Sequence, residues 1–511
     1  MKKLLAGSIL SLAFIWQAGV ASPLEKIPAD SWVYPVIDQL YTAGLFPELH
    51  RSLRPYTRGQ IADYLIQLRA RESSGKLHLA NWQEWLIEKL EDEFEYEIKL
   101  NRNGSEQKNQ LKINPQGVFR LRHLENEPSL GRGQLFISGN WEWNNRFIFQ
   151  TRGVLDNRGE EDPNFLAQEW KKGLTGMFDR GYFGIKASPF YITLGRDYQR
   201  WGPGEQGLLF SSNAPALDFA SFEIGTGKFK FSYFTSWLDT ILVFDSAAGP
   251  KPANRYISGH RLNFKHPAGW EIGLSEMIVY GGIDRKVELF YLNPVLPYYV
   301  EQYNHNVDDN SLWNLEFALT FWKNKEFYGE LLIDDFQYDF VSEPNQIGYT
   351  LGTRLTDFLG WQGSFWNLQY TRVGTFVYGQ QRPWNRYTYH DVVLGHFFGS
   401  DFDQWQFSLQ YLPHKYLTVS LDANYRRQGE MTADSTYPNP IPKNIPFPSG
   451  VVEKAWAGGA GLKFQPDAHL IANLNLAYQD FKNYQHVSGR KHNSWTIQLL
   501  LNYNFWKEFW L

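Results

Sequence analysis

Arg200 and Trp201 stand side by side before the turn sequence Gly202-Pro203-Gly204. A tryptophan ring that reaches solvent can stack on the C–H face of a sugar, and an arginine guanidinium can hold the carboxylate of an acidic sugar. The alternative is that Trp201 packs the loop inside the molecule while the glycines only turn the chain. The pair therefore indicates either carbohydrate recognition or a structural anchor, depending on whether the loop is exposed.

Asp308, Asp309 and Asn310 present consecutive side-chain oxygens. Such oxygens can accept hydrogen bonds from sugar hydroxyls or bind Ca²⁺ loosely, although their spacing does not match an EF-hand loop. Loop solvation, or an ion pair with an arginine, explains the same residues. His396 is a further candidate as a loop anchor. The sequence contains neither GxSxG nor HExxH, so we expect no catalytic residue, no metal and no cofactor.

Alternating apolar and polar residues define the elements that must position these candidates. From residue 494 to 505 the odd positions are apolar or aromatic and the even positions are mostly polar, and 404–411, 470–479 and 314–321 repeat the pattern. Successive strand side chains point to opposite faces. The length suits the roughly 9–11 residues that cross a bilayer as a tilted strand. The polar face, rich in Asn and Gln, suits a wet lumen, so the pattern predicts a transmembrane barrel.

The spacing of the turns predicts an all-β barrel of about 18 antiparallel strands, because outer-membrane barrels have short inner turns and long outer loops. Short turns alternate with longer ones from the first strand, 117–123, to the last, 493–505, and both termini fall inside. The longest outer loops are predicted over 156–180, 279–311, 378–401 and 428–452. One strand, 363–377, is unusually long. Alternation also places Glu330 and Asp334 in the lumen, where we expect them to pair with cations of the wall.

Composition agrees with export to a membrane barrel. The chain has 511 residues, no cysteine, 17% aromatic residues and a formal charge of −4. The mild negative charge gives no support for nucleic-acid binding. Lys2 and Lys3, the apolar stretch 4–16 and Gly19-Val20-Ala21 predict a signal peptide over residues 1–21. We therefore expect the cell outer membrane as the location and its lipid as a partner.

Residues 22–100 predict a small helical bundle, followed by a linker over 101–116 and the barrel over 117–511. Ser31 and Thr57 are placed to cap helices, and Gly44 is placed to end one. The order of residues 32–45 and 54–58 resembles surface-layer homology modules, which hold cell-wall polymers. The alternative is a helical cap on the periplasmic mouth of the barrel.

Four stretches resemble the Wzi-type capsule-assembly family of outer-membrane lectins. They are Leu194-Gly195-Arg196 through Trp201-Gly202-Pro203-Gly204 to Ser212-Asn213-Ala214-Pro215; Leu292-Asn293-Pro294; Asp308-Asp309-Asn310-Ser311 with residues 328–336; and Leu394-Gly395-His396. The resemblance implies an eighteen-stranded barrel with a helical bundle at its periplasmic face. It also implies non-catalytic retention of capsular or other surface polysaccharide by the outer loops.

The candidate ligand-binding residues are Arg196, Arg200, Trp201, Asn213, Asp308, Asp309, Asn310 and His396. Two other function classes stay open. Eighteen strands can enclose a pore, so a porin or sugar-specific channel is the main alternative. A barrel enzyme is the third class, and it lacks a recognisable nucleophile and base in the sequence.

Overall fold

The computed structural model describes residues 23–103, 110–125, 127–162, 165–171, 173–225, 227–245, 249–320, 322–335, 345–436, 438, 445–505 and 507–510. The predicted signal peptide over residues 1–21 lies outside these ranges.

The described residues form a closed barrel of eighteen antiparallel strands with helices near the N-terminus. The first nine strands are β1 (Gln110–Leu124), β2 (Leu130–Trp143), β3 (Phe147–Asp156), β4 (Leu174–Ala187), β5 (Phe190–Asp197), β6 (Leu217–Gly225), β7 (Phe229–Trp237), β8 (Gly249–His266) and β9 (Trp270–Ile283). The second nine are β10 (Asn310–Leu319), β11 (Lys325–Asp335), β12 (Gln346–Thr356), β13 (Ser364–Val373), β14 (Phe402–His414), β15 (Leu417–Gln428), β16 (Glu453–Phe464), β17 (Leu470–Lys482) and β18 (Lys491–Asn504). Pairing of β18 with β1 closes the barrel.

The alternating pattern correctly predicts the faces of the strands. On β18 the exposed side chains include Trp495, Ile497, Leu501 and Tyr503, all at odd positions on the outer wall. Gln498 and Asn502 lie between them on the lumen side, where Asn502 accepts a hydrogen bond from Gln116 of β1 at 2.8 Å. The wall is therefore apolar towards lipid and polar inside, as expected for a membrane barrel.

The number of strands is confirmed, but several predicted boundaries are wrong. Strand β1 begins at Gln110, so residues 110–116 belong to the barrel and not to a linker. Strand β13 ends at Val373 and not at 377, because the chain turns after Gly374, where the N–H of Val377 bonds back to the carbonyl of Gly374. Strands β8 and β9 extend further outward than predicted, so 279–283 is strand and not outer loop. Local patterns mark the membrane-crossing part of a strand and miss its extension into the loops.

Four helices precede the barrel: α1 (Val33–Thr42), α2 (Arg58–Ser73), α3 (Asn81–Glu93) and α4 (Glu95–Asn103). Thr57 caps α2 as predicted, since its hydroxyl accepts the N–H of Gln60 at 3.3 Å. Gly44 follows α1 with a positive φ of 81°, which suits a residue without a side chain. Helix α4 was not predicted, because its charged sequence resembles a linker. No helix in the described ranges is long and apolar enough to cross a membrane.

The helical bundle packs against the short-turn end of the barrel. Its apolar core includes Leu412 of β14 together with residues of all four helices. Polar contacts reach the inner wall as well: the hydroxyl of Thr42 donates to Glu326 at 3.0 Å, and the N–H of Arg51 donates to Glu271 at 2.8 Å. These contacts fit the predicted cap on the inner mouth, whereas contact of the bundle with the cell wall stays a prediction.

We expect the full-length protein to show no stable conductance in planar bilayers, because the bundle and an inward-folded outer loop, residues 198–216, occupy the lumen. Replacing residues 199–212 by a glycine-serine linker of equal length should open a conducting path. The control is the same replacement at 483–490, between β17 and β18. Heat-dependent gel mobility would check that each barrel is folded. Stable channels in the wild-type protein would contradict the closed lumen.

Candidate functional site

The inward-folded loop meets the N-terminal segment in the middle of the lumen. Leu53 pairs with Trp201 and Arg54 with Arg200 in a short antiparallel ladder. The N–H of Gly202 adds a hydrogen bond to the carbonyl of Ser52 at 2.9 Å. A segment from the periplasmic side and a loop from the outer side therefore hold each other inside the barrel.

The inward-folded loop, residues 198–216, and the N-terminal segment together form a plug in the lumen. Trp201 is buried in this plug, with only 2% of its surface exposed. Its ring meets Phe210 and Phe234 edge to face, with centroid distances of 6.1 Å and 5.6 Å, and the Arg261 guanidinium lies 5.8 Å from the ring. These contacts favour the packing alternative over sugar stacking. Arg200 is half-buried, and its guanidinium donates to the carbonyl of Gly204 within the same loop. The Trp201 ring does not reach the outer surface of the protein.

Glu330 of β11 fixes the turn that follows Trp201. Its carboxylate accepts the N–H of Gly204 at 3.1 Å and the N–H of Leu208 at 2.9 Å. Gly202 has a φ of 119°, and a Cβ at this position would come within 2.5 Å of Glu330 Oε1. Glu330 does face the lumen, as predicted, but its partners here are backbone N–H groups of the loop. The close approach explains why glycine occupies the turn.

A second outer loop, residues 374–401, rests on the first. The hydroxyls of Tyr378 and Tyr387 donate to the carbonyls of Leu208 and Leu209 at 2.5 Å and 2.7 Å. Asp334 accepts the N–H of Tyr378 at 2.5 Å, which again places a predicted lumen carboxylate on loop backbone. These bonds tie the second loop to both the wall and the plug.

His396 lies buried in the second loop. Its Nδ1 accepts the N–H of Phe398 at 3.3 Å, and its ring packs against Phe402 with centroids 4.7 Å apart. Burial lowers the pKa of His396 to about 3, so the ring is neutral at neutral pH. The arrangement agrees with a loop anchor and leaves no ring face for a ligand from outside.

The run Asp308 to Asn310 joins the second loop to a third one, residues 284–309. Buried Asp309 accepts hydrogen bonds from Arg285 and from the hydroxyl of Tyr291, each at 2.8–2.9 Å. Asn310 donates to the carbonyl of Asn385 at 2.9 Å, and Asn385 donates back to the carbonyl of Asp308 at 2.6 Å. Only the Asp308 carboxylate is largely exposed.

Arg196 and Asn213 do not join this assembly. Arg196 follows outward-facing Leu194 on β5 and forms an ion pair with Asp218, with Nε 2.8 Å from Oδ1. Asn213 is half-buried, and its amide donates to the Ser211 hydroxyl at 2.7 Å. The eight sequence candidates therefore form no single pocket. A binding role for any of them stays a prediction.

The third loop carries an exposed aromatic pair that the sequence reasoning missed. A short helix, α5 (Tyr298–Asn304), exposes 41% of Tyr299 and 68% of Tyr303. The two rings are 4.9 Å apart, and their hydroxyl oxygens are 3.2 Å apart. Glu276 of β9 holds the helix by accepting the N–H groups of Tyr298 and Tyr299 at 3.0 Å and 2.8 Å. The i, i+4 spacing of two tyrosines after Pro297 was the available signal.

Asp308 on the third loop and Arg382 on the second loop form an exposed ion pair. The Asp308 carboxylate, 67% exposed, lies 3.0 Å from the half-exposed guanidinium of Arg382. Exposed pairs of this kind hold each other weakly, so both groups can exchange partners with a polar ligand. We call Tyr299, Tyr303, Asp308 and Arg382 the outer aromatic surface. It combines the two tyrosine rings and Asp308 of the third loop with Arg382 of the second loop.

A cavity of about 290 Å³ lies in the outer half of the lumen, between the N-terminal segment, the inward-folded loop and strands β2–β4. Its charged lining is already paired, because Arg152 lies between Asp179 and Asp30 at 2.5 Å and 3.3 Å. Within the described residues no group of three His, Asp or Glu side chains is arranged to hold a metal ion.

Comparisons with known proteins agree with this geometry. The family described as capsule assembly protein Wzi matches residues 129–495. The solved structure of Wzi, an outer-membrane protein involved in group 1 capsule assembly in Escherichia coli and a carbohydrate-binding β-barrel, is 14% identical with a TM-score of 0.61. The match covers 96% of this chain and 100% of that one.

Two Pseudomonas aeruginosa structures also match. OpdQ is 10% identical with a TM-score of 0.45, covering 79% of this chain and 100% of that chain. The outer-membrane protein OprD is 9% identical with a TM-score of 0.45, covering 78% of this chain and 93% of that chain. No curated protein sequence matches the chain.

Replacing Glu330 by alanine should loosen the inward-folded loop, because two buried N–H groups lose their acceptor at roughly 1–3 kcal/mol each. Hydrogen exchange of the segment 202–209 should rise in Glu330→Ala. Glu330→Gln, which keeps one acceptor oxygen, should lie between Glu330→Ala and wild type. Unchanged exchange in Glu330→Ala would show that the carboxylate does not hold the loop.

The second loop should open as the pH falls. The pKa of His396 is about 3 in the closed loop against an ordinary value of 6.5. Below pH 6.5 the opened loop therefore binds a proton that the closed loop does not, and the closed state loses about 2 kcal/mol by pH 5. Protease cleavage within 374–401 should increase from pH 7.5 to 5. His396→Gln should remove this pH dependence, and His390→Gln, an exposed control, should keep it.

Proposed function

This chain belongs to the Wzi family of capsule-assembly proteins, and on that premise we propose that it binds and retains capsular or other surface polysaccharide at the outer face of the outer membrane. The outer-membrane location follows from the barrel and the family. Export by the signal peptide over residues 1–21 is part of the proposal. So is the absence of catalysis, which rests on the lack of a recognisable nucleophile motif in the sequence.

The outer aromatic surface carries the proposal. Tyr303 is 68% exposed although it stands on a helix whose first turn is fixed to the barrel wall through Glu276. A rigid aromatic ring offers a large contact area at little cost in conformational entropy. The C–H face of a sugar ring can pack on such a surface while its hydroxyl groups meet the tyrosine hydroxyls.

Charge on the same surface suits an acidic polymer. Arg382 offers a planar set of donors that matches a carboxylate. Its present partner, Asp308, accepts equally well from sugar hydroxyls. The pair therefore lets the surface hold both acidic and neutral sugar units. A long polymer gains further because neighbouring units bind at high effective concentration once one unit is bound.

Buried contacts of the plug support retention rather than passage. Trp201, Phe210 and Phe234 form one apolar cluster with residues of the wall and of the second loop. A polymer that passed through the lumen would have to displace this cluster. The channel alternative requires the same displacement, and the conductance measurement above distinguishes it from retention.

Tyr303→Ala should weaken binding of the organism's own surface polysaccharide about tenfold, because truncating a well-placed aromatic residue costs at least about 1 kcal/mol. Co-sedimentation with the detergent-solubilised full-length protein would measure it. Trp322→Ala, at the opposite end of the barrel, is the matched aromatic control and should bind like wild type.

Trp201→Ala should have a different signature. It removes buried packing, so we expect faster proteolysis of the inward-folded loop together with any change in binding. A binding loss in Trp201→Ala with unchanged proteolysis would restore Trp201 as a contact residue. Equal binding by wild type and Tyr303→Ala would remove the outer aromatic surface from the site, and no binding to any polymer that the cell makes would overturn the function.

A further inference from the structure

Six residues form one cross-strand row near the outer ends of β13–β18. The antiparallel register pairs each with the next in the order Arg372, Asp403, Arg427, Lys454, Lys482 and Lys491. Directly opposed residues point to the same face of a sheet. One step along the strands the same face carries the exposed Trp405 and Trp456, so this row, which we call the basic row, faces outward.

The basic row has five cationic residues and one acidic residue, and Asp480, one step inward on the same face, forms no ion pair with the lysines of the row among the described residues. Asp403 is the one acidic residue of the row, and it forms an ion pair with Arg427, with Nε 2.8 Å from Oδ1. Lys454, Lys482 and Lys491 are exposed and have no acidic partner among the described residues. Like charges that are directly opposed across strands repel each other. An anion bound between these lysines would relieve that repulsion.

Aromatic residues show where the membrane lies relative to the row. Tyr370, Trp405, Tyr425 and Trp456 form the next row inward on β13–β16. On β17 and β18 the paired aromatic residues, Tyr478 and Trp495, lie one step further in, a shift that the tilt of the strands accounts for. Interfacial aromatic girdles mark the edge of the hydrocarbon. The lysines therefore stand just outside it, at the level of lipid headgroups.

Charge at the outer end of another part of the wall is balanced. On β5 and β6 the outward-facing Arg196 is paired with Asp218, with Nε 2.8 Å from Oδ1. The unbalanced positive charge at headgroup level on β15–β18 is therefore not repeated on β5 and β6. Ammonium groups at this level attract anionic headgroups, by about 1 kcal/mol for each lysine or arginine.

We propose that the outer wall of β15–β18 binds the phosphate groups of the phosphorylated glycolipid in the outer leaflet of the surrounding membrane. Lys454, Lys482 and Lys491 supply the charge, and each ammonium offers three donors to phosphate oxygens. Trp456 and Trp495 contact the acyl chains beneath. The site faces lipid on the outer wall and is separate from the outer aromatic surface, so it does not depend on polysaccharide binding.

The test uses the full-length protein in detergent, with diphosphorylated lipid A and the same lipid after removal of its phosphates as probes. Wild type should bind the phosphorylated form about tenfold more tightly. The triple variant K454Q/K482Q/K491Q should lose that preference, and the charge-conserving K454R/K482R/K491R should keep it. The control K76Q/K228Q/K323Q removes the same charge from exposed lysines elsewhere and should bind like wild type.

Three outcomes would overturn the proposal. The first is equal binding of the two lipids by wild type. The second is comparable binding of inorganic phosphate alone, which would indicate a small-anion site. The third is a triple variant that loses polysaccharide binding while lipid binding is unchanged, which would assign the row to the polymer. Retained polysaccharide binding in a variant that has lost lipid preference would support two separate sites.

Discussion

The carboxylate of Glu330 connects the barrel wall to the outer loops. It accepts two backbone N–H groups from the inward-folded loop, which fixes where the carbonyls of Leu208 and Leu209 point. Those carbonyls accept the hydroxyls of Tyr378 and Tyr387, which seats the second loop. The second loop reaches the third through Asn385 and Asp308. Each loop is thus positioned by the one beneath it, and Asp308 stands at the end of that series, whereas Tyr299 and Tyr303 are fixed separately to the wall through Glu276.

This order of dependence suits a protein that holds a large ligand outside the membrane. A polymer makes many weak contacts, and each costs less entropy when the side chains are already ordered. Here the aromatic pair stands on a helix tied to the wall by Glu276, and the charged pair bridges two anchored loops. A buried cluster separate from the one around Trp201, made of Tyr256, Ile278, Tyr280, Tyr291 and Tyr298, packs the helix against β8 and β9. A surface lectin would be expected to expose the family motif around Trp201, but here that motif is buried and holds the loops in place.

The barrel could be predicted from the sequence because its information is local. Neighbouring residues show both the period of two and the contrast of short and long turns. The alternation from Trp495 to Tyr503 is enough to predict which side chains of β18 face lipid and which face the lumen. The lumen position of Glu330 came from the same alternation. What the loops do could not be obtained in this way. Whether Trp201 is exposed depends on Leu53, Phe234 and other residues far away in the chain. Helix α4 is short, and most of its residues are charged or polar, so its sequence resembles a linker.

The two-residue ladder between Leu53–Arg54 and Arg200–Trp201 has a mechanical consequence. When shear in the surrounding fluid pulls on a tethered polymer, the tension enters at the loops and spreads along two branches. One branch runs through Glu330 into the wall of the barrel. The other crosses the ladder into the N-terminal segment and the helices on the far side of the membrane. Force applied at the cell surface is thereby shared between the barrel wall and the helical bundle at the periplasmic end.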